Sequence, residues 1–181
     1  SQHWPAQASE VGSLELPDAI RLTLDSRSVE QGNIFVALPG TSVDGRDFID
    51  QALSAGASGV LCHIEAGEPA SSSPGVLRLE GLAERLGELG RELFEVPVDL
   101  ELIGVTGTNG KSSVTHYIAA LSQRLGSEAG MIGTLGHGRP GALHEGRLTT
   151  PGPLALQSAL GELAATGLRR VAMEASSHAL D

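Results

Sequence analysis

Lysine is nearly absent from this chain. Its 181 residues include 12 lysines and arginines, and Lys111 is the single lysine among them. Arginine serves wherever a surface cation is merely useful. The one lysine therefore marks a position where a guanidinium fits poorly, unless codon usage alone has thinned lysine out. Acidic residues number 22, giving a formal net charge of -10. So acidic a chain, without a basic cluster, offers no electrostatic footprint for nucleic acid and no polybasic face for an anionic membrane. Aromatics make up only 3%. That leaves no array of rings for stacking single-stranded bases and makes Leu, Val, Ala and Ile the core builders. Cys62 is the only cysteine. It excludes an internal disulfide and a multi-cysteine metal site, and its place in Gly59-Val60-Leu61-Cys62 marks a buried strand residue. No apolar run approaches the roughly 20 residues that span a bilayer. The first residues, Ser1-Gln2-His3-Trp4-Pro5, lack the basic-then-apolar order of a signal peptide. The expectation is a cytoplasmic monomer with neither nucleic acid nor membrane as partner.

What is present suffices for a folded chain. Hydrophobic residues reach 40%, enough to build a core. Residues 1 to about 20 are weakly patterned, and apolar runs then alternate with helical stretches. Leu22-Thr23-Leu24, Ile34 to Leu38, Gly59 to His63 and Val76 to Leu79 read as strands. Phe48, Ile49, Ala52 and Leu53 recur at helical spacing and Gly56 closes that helix. Residues Glu65 to Gly75 form a loop, and Leu82, Leu86, Leu89 and Leu93 mark a helix face. At Val96-Pro97-Val98-Asp99 the pattern breaks and restarts. Leu102 to Thr106 has the look of a buried strand, followed by a glycine turn and a helix from about Lys111 to Leu125. Met131-Ile132 is a short strand, Pro153 to Ala165 a helix, and Val171 to Met173 a last strand. The alternation predicts an α/β fold in two domains. Residues 1–97 form a mixed N-terminal domain, and residues 98–181 a domain with a mostly parallel sheet. The last strand has no closing helix after it, as expected of a domain cut short.

The sharpest motif is Gly107-Thr108-Asn109-Gly110-Lys111-Ser112-Ser113, set between a predicted strand and a predicted helix. Glycines there let backbone N–H groups turn toward phosphate oxygens, and the helix N-terminus adds partial positive charge. The Lys111 ammonium reaches the β- and γ-phosphates of ATP, and the Ser112 hydroxyl ligates Mg²⁺. The loop is a shortened variant of the common pattern, because Val105 stands where the first glycine would be. Such a loop calls for an acid near the metal. Glu174 closes a predicted strand, at the end of the sheet where α/β folds collect ligands, and is the candidate.

These residues resemble the GTNGK[ST][ST] loop of the Mur ligases, the ATP-dependent amide-forming enzymes of peptidoglycan precursor synthesis. Further segments resemble the same family: Asp25-Ser26-Arg27, Gly32 to Ala37, Gly40, Asp44-Gly45-Arg46, Gly133-Thr134, Thr149-Thr150-Pro151 and Met173 to His178. Within the family they are most similar to the branch that adds the third amino acid to UDP-N-acetylmuramoyl-dipeptide. The phosphate loop alone also fits folylpolyglutamate synthase, and a non-catalytic UDP-sugar or nucleotide-binding module is a third reading.

The resemblance implies a reaction in which Mg²⁺ and ATP phosphorylate a carboxylate of the nucleotide-linked dipeptide. The amine of diaminopimelate or L-lysine then displaces phosphate. It implies that Leu24 and Ser26, with the loop Thr41-Ser42-Val43, contact the uridine nucleotide. Arg27 and Arg46 either face a diphosphate or pair with the aspartates that flank them. Thr149 and Thr150 offer hydroxyls to substrate or simply cap a helix. Ser176 matches a substrate-contacting position, and His178 either holds substrate or shapes the strand end. The family also has a third domain and a carbamylated lysine holding a second Mg²⁺. Neither has a counterpart in these residues, so the fragment is expected not to complete the ligase reaction.

Overall fold

The computed structural model describes residues 21–40, 43–69, 73–144 and 152–176. The chain divides into two compact units, Ser1–Arg85 and Leu86–Asp181. The division falls earlier than the break at Val96 to Asp99. The helix Leu86–Leu93, read from sequence as the end of the first domain, packs in the second unit instead.

The first unit is built on four parallel strands: β1 (Leu22–Thr23), β2 (Ile34–Ala37), β3 (Gly59–Ile64) and β4 (Val76–Glu80), in that spatial order. All four residues of β2 are buried, so its continuous apolar run is that of a strand covered on both faces. Register follows from those runs: Phe35 lies beside Val60, and Ala37 beside Cys62. Helix α1 (Ile49–Ser54) buries Ala52, and packs half-buried Leu53, against Phe35, Val60, Cys62 and Val76. Each large apolar side chain fully buried there contributes about 1.5–3 kcal/mol. Cys62 is a core residue as its sequence context indicates, and burial pushes its thiol pKa up. His63, on the other face of β3, is buried as well. Its Nδ1 accepts from the N–H of Ala83 at 3.1 Å and its Nε2 lies 3.3 Å from Glu65 Oε1. An accepting Nδ1 requires the ring proton on Nε2, which then donates to Glu65.

The second unit has a five-stranded sheet. Its strands are β5 (Glu101–Val105), β6 (Ala129–Gly133), β7 (Gly136–Arg139), β8 (Ala142–His144) and β9 (Arg170–Glu174), in the order β5-β9-β6-β7-β8. β5, β9 and β6 are parallel, while β7 and β8 form an antiparallel hairpin on β6. Helices α2 (Leu86–Leu93) and α4 (Pro153–Ala165) pack on each other. With Val96, Ile132, Leu168 and Val171, α4 forms the core through Ala159, Leu160 and Leu163. Helix α3 (Lys111–Arg124) turns Thr115, Ala119 and Ser122 inward.

Two expectations are corrected here. β5 is not a buried strand: among the described residues it pairs with β9 alone, and Leu102 is 44% exposed. The β7–β8 hairpin has no counterpart in the sequence reading. Its strand residues Gly136-His137-Gly138-Arg139 carry no apolar alternation to betray it. Among the described residues no helix is long and apolar enough to cross a membrane.

Candidate functional site

In the first unit, the ends of β1 and β2 open into a cavity of about 620 Å³. Leu24, Ser26 and Val43, three of the residues expected at a uridine nucleotide, all line it, together with Phe35, Pro39 and Phe48. Thr41 and Ser42 lie outside the described residues. Sequence reasoning missed the two phenylalanines as lining residues, because their helical or strand periodicity accounted for them as core.

Two Asp-x-Arg turns border this cavity. Asp25 caps the 3₁₀ turn Ser26–Ser28, accepting from the Arg27 N–H at 3.0 Å and from Arg27 Nε and Nη2 at 2.9 and 2.8 Å. Asp44 repeats the arrangement at Gly45–Phe48, accepting from the Arg46 N–H at 2.9 Å and from its Nε and Nη2 at 3.0 and 2.7 Å. The guanidinium of Arg27 holds the Asp25 carboxyl down at about 2. Arg46 likewise holds Asp44 below the usual carboxylate range. Of the two alternatives for these arginines, the observed geometry is the ion pair. Both pairs are solvent-accessible, so they orient the turns more than they stabilise the unit.

In the second unit, β5 runs into the glycine loop and α3 starts at Lys111. Gly110 is its N-cap, with φ of 78° and no side chain to satisfy the first helical N–H groups. A β-carbon disfavours this left-handed conformation, so glycine is what lets the chain turn sharply into the helix. The first intrahelical bond runs from the Val114 N–H to Gly110 O at 2.9 Å, which leaves the N–H groups of Lys111, Ser112 and Ser113 without intrahelical acceptors. Lys111 Nζ donates to Gly107 O at 2.8 Å, folding the ammonium back over its own loop. Residues Thr106 to Gly110 are exposed.

Strand pairing carries Glu174 to this loop. Val105 is the register partner of Glu174, and the Ala175 N–H donates to Val105 O at 2.9 Å. Glu174 is 1% exposed. One oxygen of its carboxylate accepts from the Thr134 N–H and the other from the Thr134 hydroxyl, both at 3.1 Å. Thus Lys111, Ser112, the start of α3 and Glu174 lie at the end of the sheet where β5 and β9 finish, beside half-buried Ser176. A cation, a hydroxyl, free N–H groups and a carboxylate are the elements that hold a polyphosphate with a divalent ion. Thr149, Thr150 and His178 lie outside the described residues.

Comparison with known proteins covers both units. Residues 21–92 match the model of the Mur ligase family, catalytic domain, and residues 105–181 that of the Mur ligase middle domain. The chain is 49% identical over 162 residues to the UDP-N-acetylmuramoyl-L-alanyl-D-glutamate--2,6-diaminopimelate ligase of Pseudomonas aeruginosa. It is 48% identical over 163 residues to that of Pseudomonas putida. Both alignments cover 88% of this chain and 33% of the relative, so the chain spans about a third of the length of these curated relatives. A solved structure of a ligase of that name superposes with a TM-score of 0.65 at 34% identity, covering 88% of this chain and 32% of the other. Two family matches in succession, over both compact units, identify the chain as a member of the Mur ligase family.

Proposed function

We propose that the chain supplies the nucleotide-handling part of an ATP-dependent ligase that joins 2,6-diaminopimelate to UDP-N-acetylmuramoyl-L-alanyl-D-glutamate in the cytoplasm. The observation that carries this reading is the β5–β9 pairing, which sets the Lys111 loop beside Glu174. The names of the relatives at 48–49% identity supply the substrate pair.

The chemistry asks for charge neutralisation and alignment rather than a protein nucleophile. A dipeptide carboxylate attacks the γ-phosphorus of ATP, forming an acyl phosphate and releasing ADP. The amine then attacks the acyl carbon, phosphate leaves, the amine loses a proton, and an amide results. In this chain Lys111 neutralises phosphate charge, and the N–H groups at the start of α3 orient the phosphate oxygens. Ser112 and Glu174 offer hard oxygen donors of the kind Mg²⁺ prefers. Their fit is supported by Gly133, whose missing side chain leaves room for the Glu174 carboxylate. Among the described residues no cluster of three or more His, Cys, Asp or Glu is arranged to hold a metal. Phosphate oxygens and water would therefore complete the coordination. When bound, the ion supplies charge stabilisation on the transferring phosphoryl group. In the first unit the cavity at Leu24, Ser26 and Val43 takes the uridine end of the substrate.

Titration of the 181-residue chain with Mg²⁺ and a fluorescent ATP analogue tests the nucleotide reading. Wild type is expected to bind, and Lys111→Ala to weaken binding at least about tenfold. Equal affinity in the two would remove Lys111 from the site. A separate titration should show UDP, and not a folate, saturating the cavity.

A further inference from the structure

We propose that Thr134 is a positioning residue for the phosphate site, acting by clamping the Glu174 carboxylate, and that Gly133 is the vacancy the clamp needs. This rests on the reading of Glu174 as a ligand of Mg²⁺. Thr134 follows β6 and lies 40 residues before Glu174, yet it engages both oxygens of that carboxylate. The N–H donates to Oε1 and the hydroxyl to Oε2, each at 3.1 Å. Two donors from one residue fix both the plane and the tilt of the group. Both donors are neutral, so they orient the carboxylate without cancelling its charge.

Burial gives the clamp its weight. With 1% of its surface open, Glu174 cannot swing through solvent to meet an ion, so its orientation is the one its neighbours leave it. The preceding residue makes the space. A β-carbon built on Gly133 would collide with Glu174 Oε1 and stand 2.6 Å from the carboxylate carbon. Any side chain there must push the carboxylate aside. Gly133 and Thr134 thus act together, one as an absence and one as two donors. The β6–β9 pairing that puts Ile132 beside Met173 brings both residues to Glu174. Groups that orient a metal-binding carboxylate without touching the metal typically affect metal affinity by 10- to 100-fold.

The test is the Mg²⁺ concentration needed for half-maximal binding of a fluorescent ATP analogue to the whole 181-residue chain. Binding without metal is measured in parallel in chelator. Thr134→Val keeps the N–H and removes the hydroxyl, and is expected to raise the Mg²⁺ midpoint about tenfold while metal-free binding stays unchanged. Thr134→Ser should restore the midpoint, and Gly133→Ala should raise it at least as far as valine does. A hydroxyl with only a structural role would leave the midpoint in place. If wild type depends on Mg²⁺ and Thr134→Val has the same midpoint, the positioning role is overturned. If wild type and Glu174→Gln are both indifferent to Mg²⁺, the metal reading of Glu174 falls, and the proposal with it. Thr134 is exposed, so valine there disturbs no packing. A second measurement needs no variant: in metal-free wild type the Thr134 amide should be protected from hydrogen exchange. Exchange at the free-peptide rate would overturn the clamp.

Discussion

Asp44-Gly45-Arg46 in the first unit and Asn109-Gly110-Lys111 in the second share a spacing and a central glycine, and they put it to opposite use. In the first, the carboxylate forks its own arginine and caps the turn that follows. In the second, the residue two before the cation is an amide, and Lys111 donates instead to a carbonyl of its loop. A cation matched by a carboxylate two residues away is committed to shaping the backbone. One held by a neutral carbonyl still carries a full charge for a ligand. The Asp25-Arg27 and Asp44-Arg46 pairs therefore commit both guanidinium groups to the turns that border the first cavity. The phosphate loop keeps its charge in reserve.

Exchanging the devices gives the largest effect. Asn109→Asp places a carboxylate two residues before Lys111, as the first unit does before Arg46. ATP-analogue affinity should fall about tenfold, or about 1.4 kcal/mol, with little change in thermal midpoint. Unchanged affinity would mean that the neutral partner of Lys111 is incidental. Next comes a contrast between buried polar groups. His63 has both ring nitrogens engaged, whereas Thr115 Oγ1, on the buried face of α3, has no hydrogen-bond partner among the described residues. Thr115→Val keeps the shape and removes the hydroxyl, so denaturant unfolding should show a gain of about 1 kcal/mol. A loss would reveal a polar partner for that hydroxyl.

The smallest effect is set by pH. The folded Asp25 carboxyl, at about 2, lies below its unfolded value of about 3.9. Its contribution is therefore complete above the unfolded value and is lost as pH falls through about 2. Asp25→Asn should flatten that part of the acid limb in a plot of thermal midpoint against pH. The difference should shrink in high salt, since the pair is solvent-accessible. An acid limb identical to wild type would detach the carboxylate from the stability of the turn.

These contrasts were only half visible in the sequence. Local signals were read well: Pro153 opens α4 at its first position, and the helix runs to Ala165 as the periodicity indicates. The loop and the start of α3 at Lys111 follow from glycines and spacing. Signals that depend on distant partners were not legible. Leu102-Ile103-Gly104-Val105 has the composition of a central strand, but composition does not tell how many neighbours a strand acquires. Gly136 to Arg139 pairs through its backbone alone, without an apolar face to announce it. Gly133-Thr134 could be matched to a family pattern, but the reason for the pair sits on a strand 40 residues later. Likewise the aspartates beside Arg27 and Arg46 left two readings open until the fork geometry chose between them.

The strand order has a consequence for biogenesis. Among the described residues β5, which leads into the phosphate loop, has β9 as its only partner. The contact between Glu101 and Arg170 closes over 69 residues of chain. On a ribosome the loop emerges well before the strand that anchors it, so its folded geometry must be among the last features of this unit to form. A nascent chain stopped before Arg170 would carry every residue of the glycine loop and still lack the strand pairing that holds it in place.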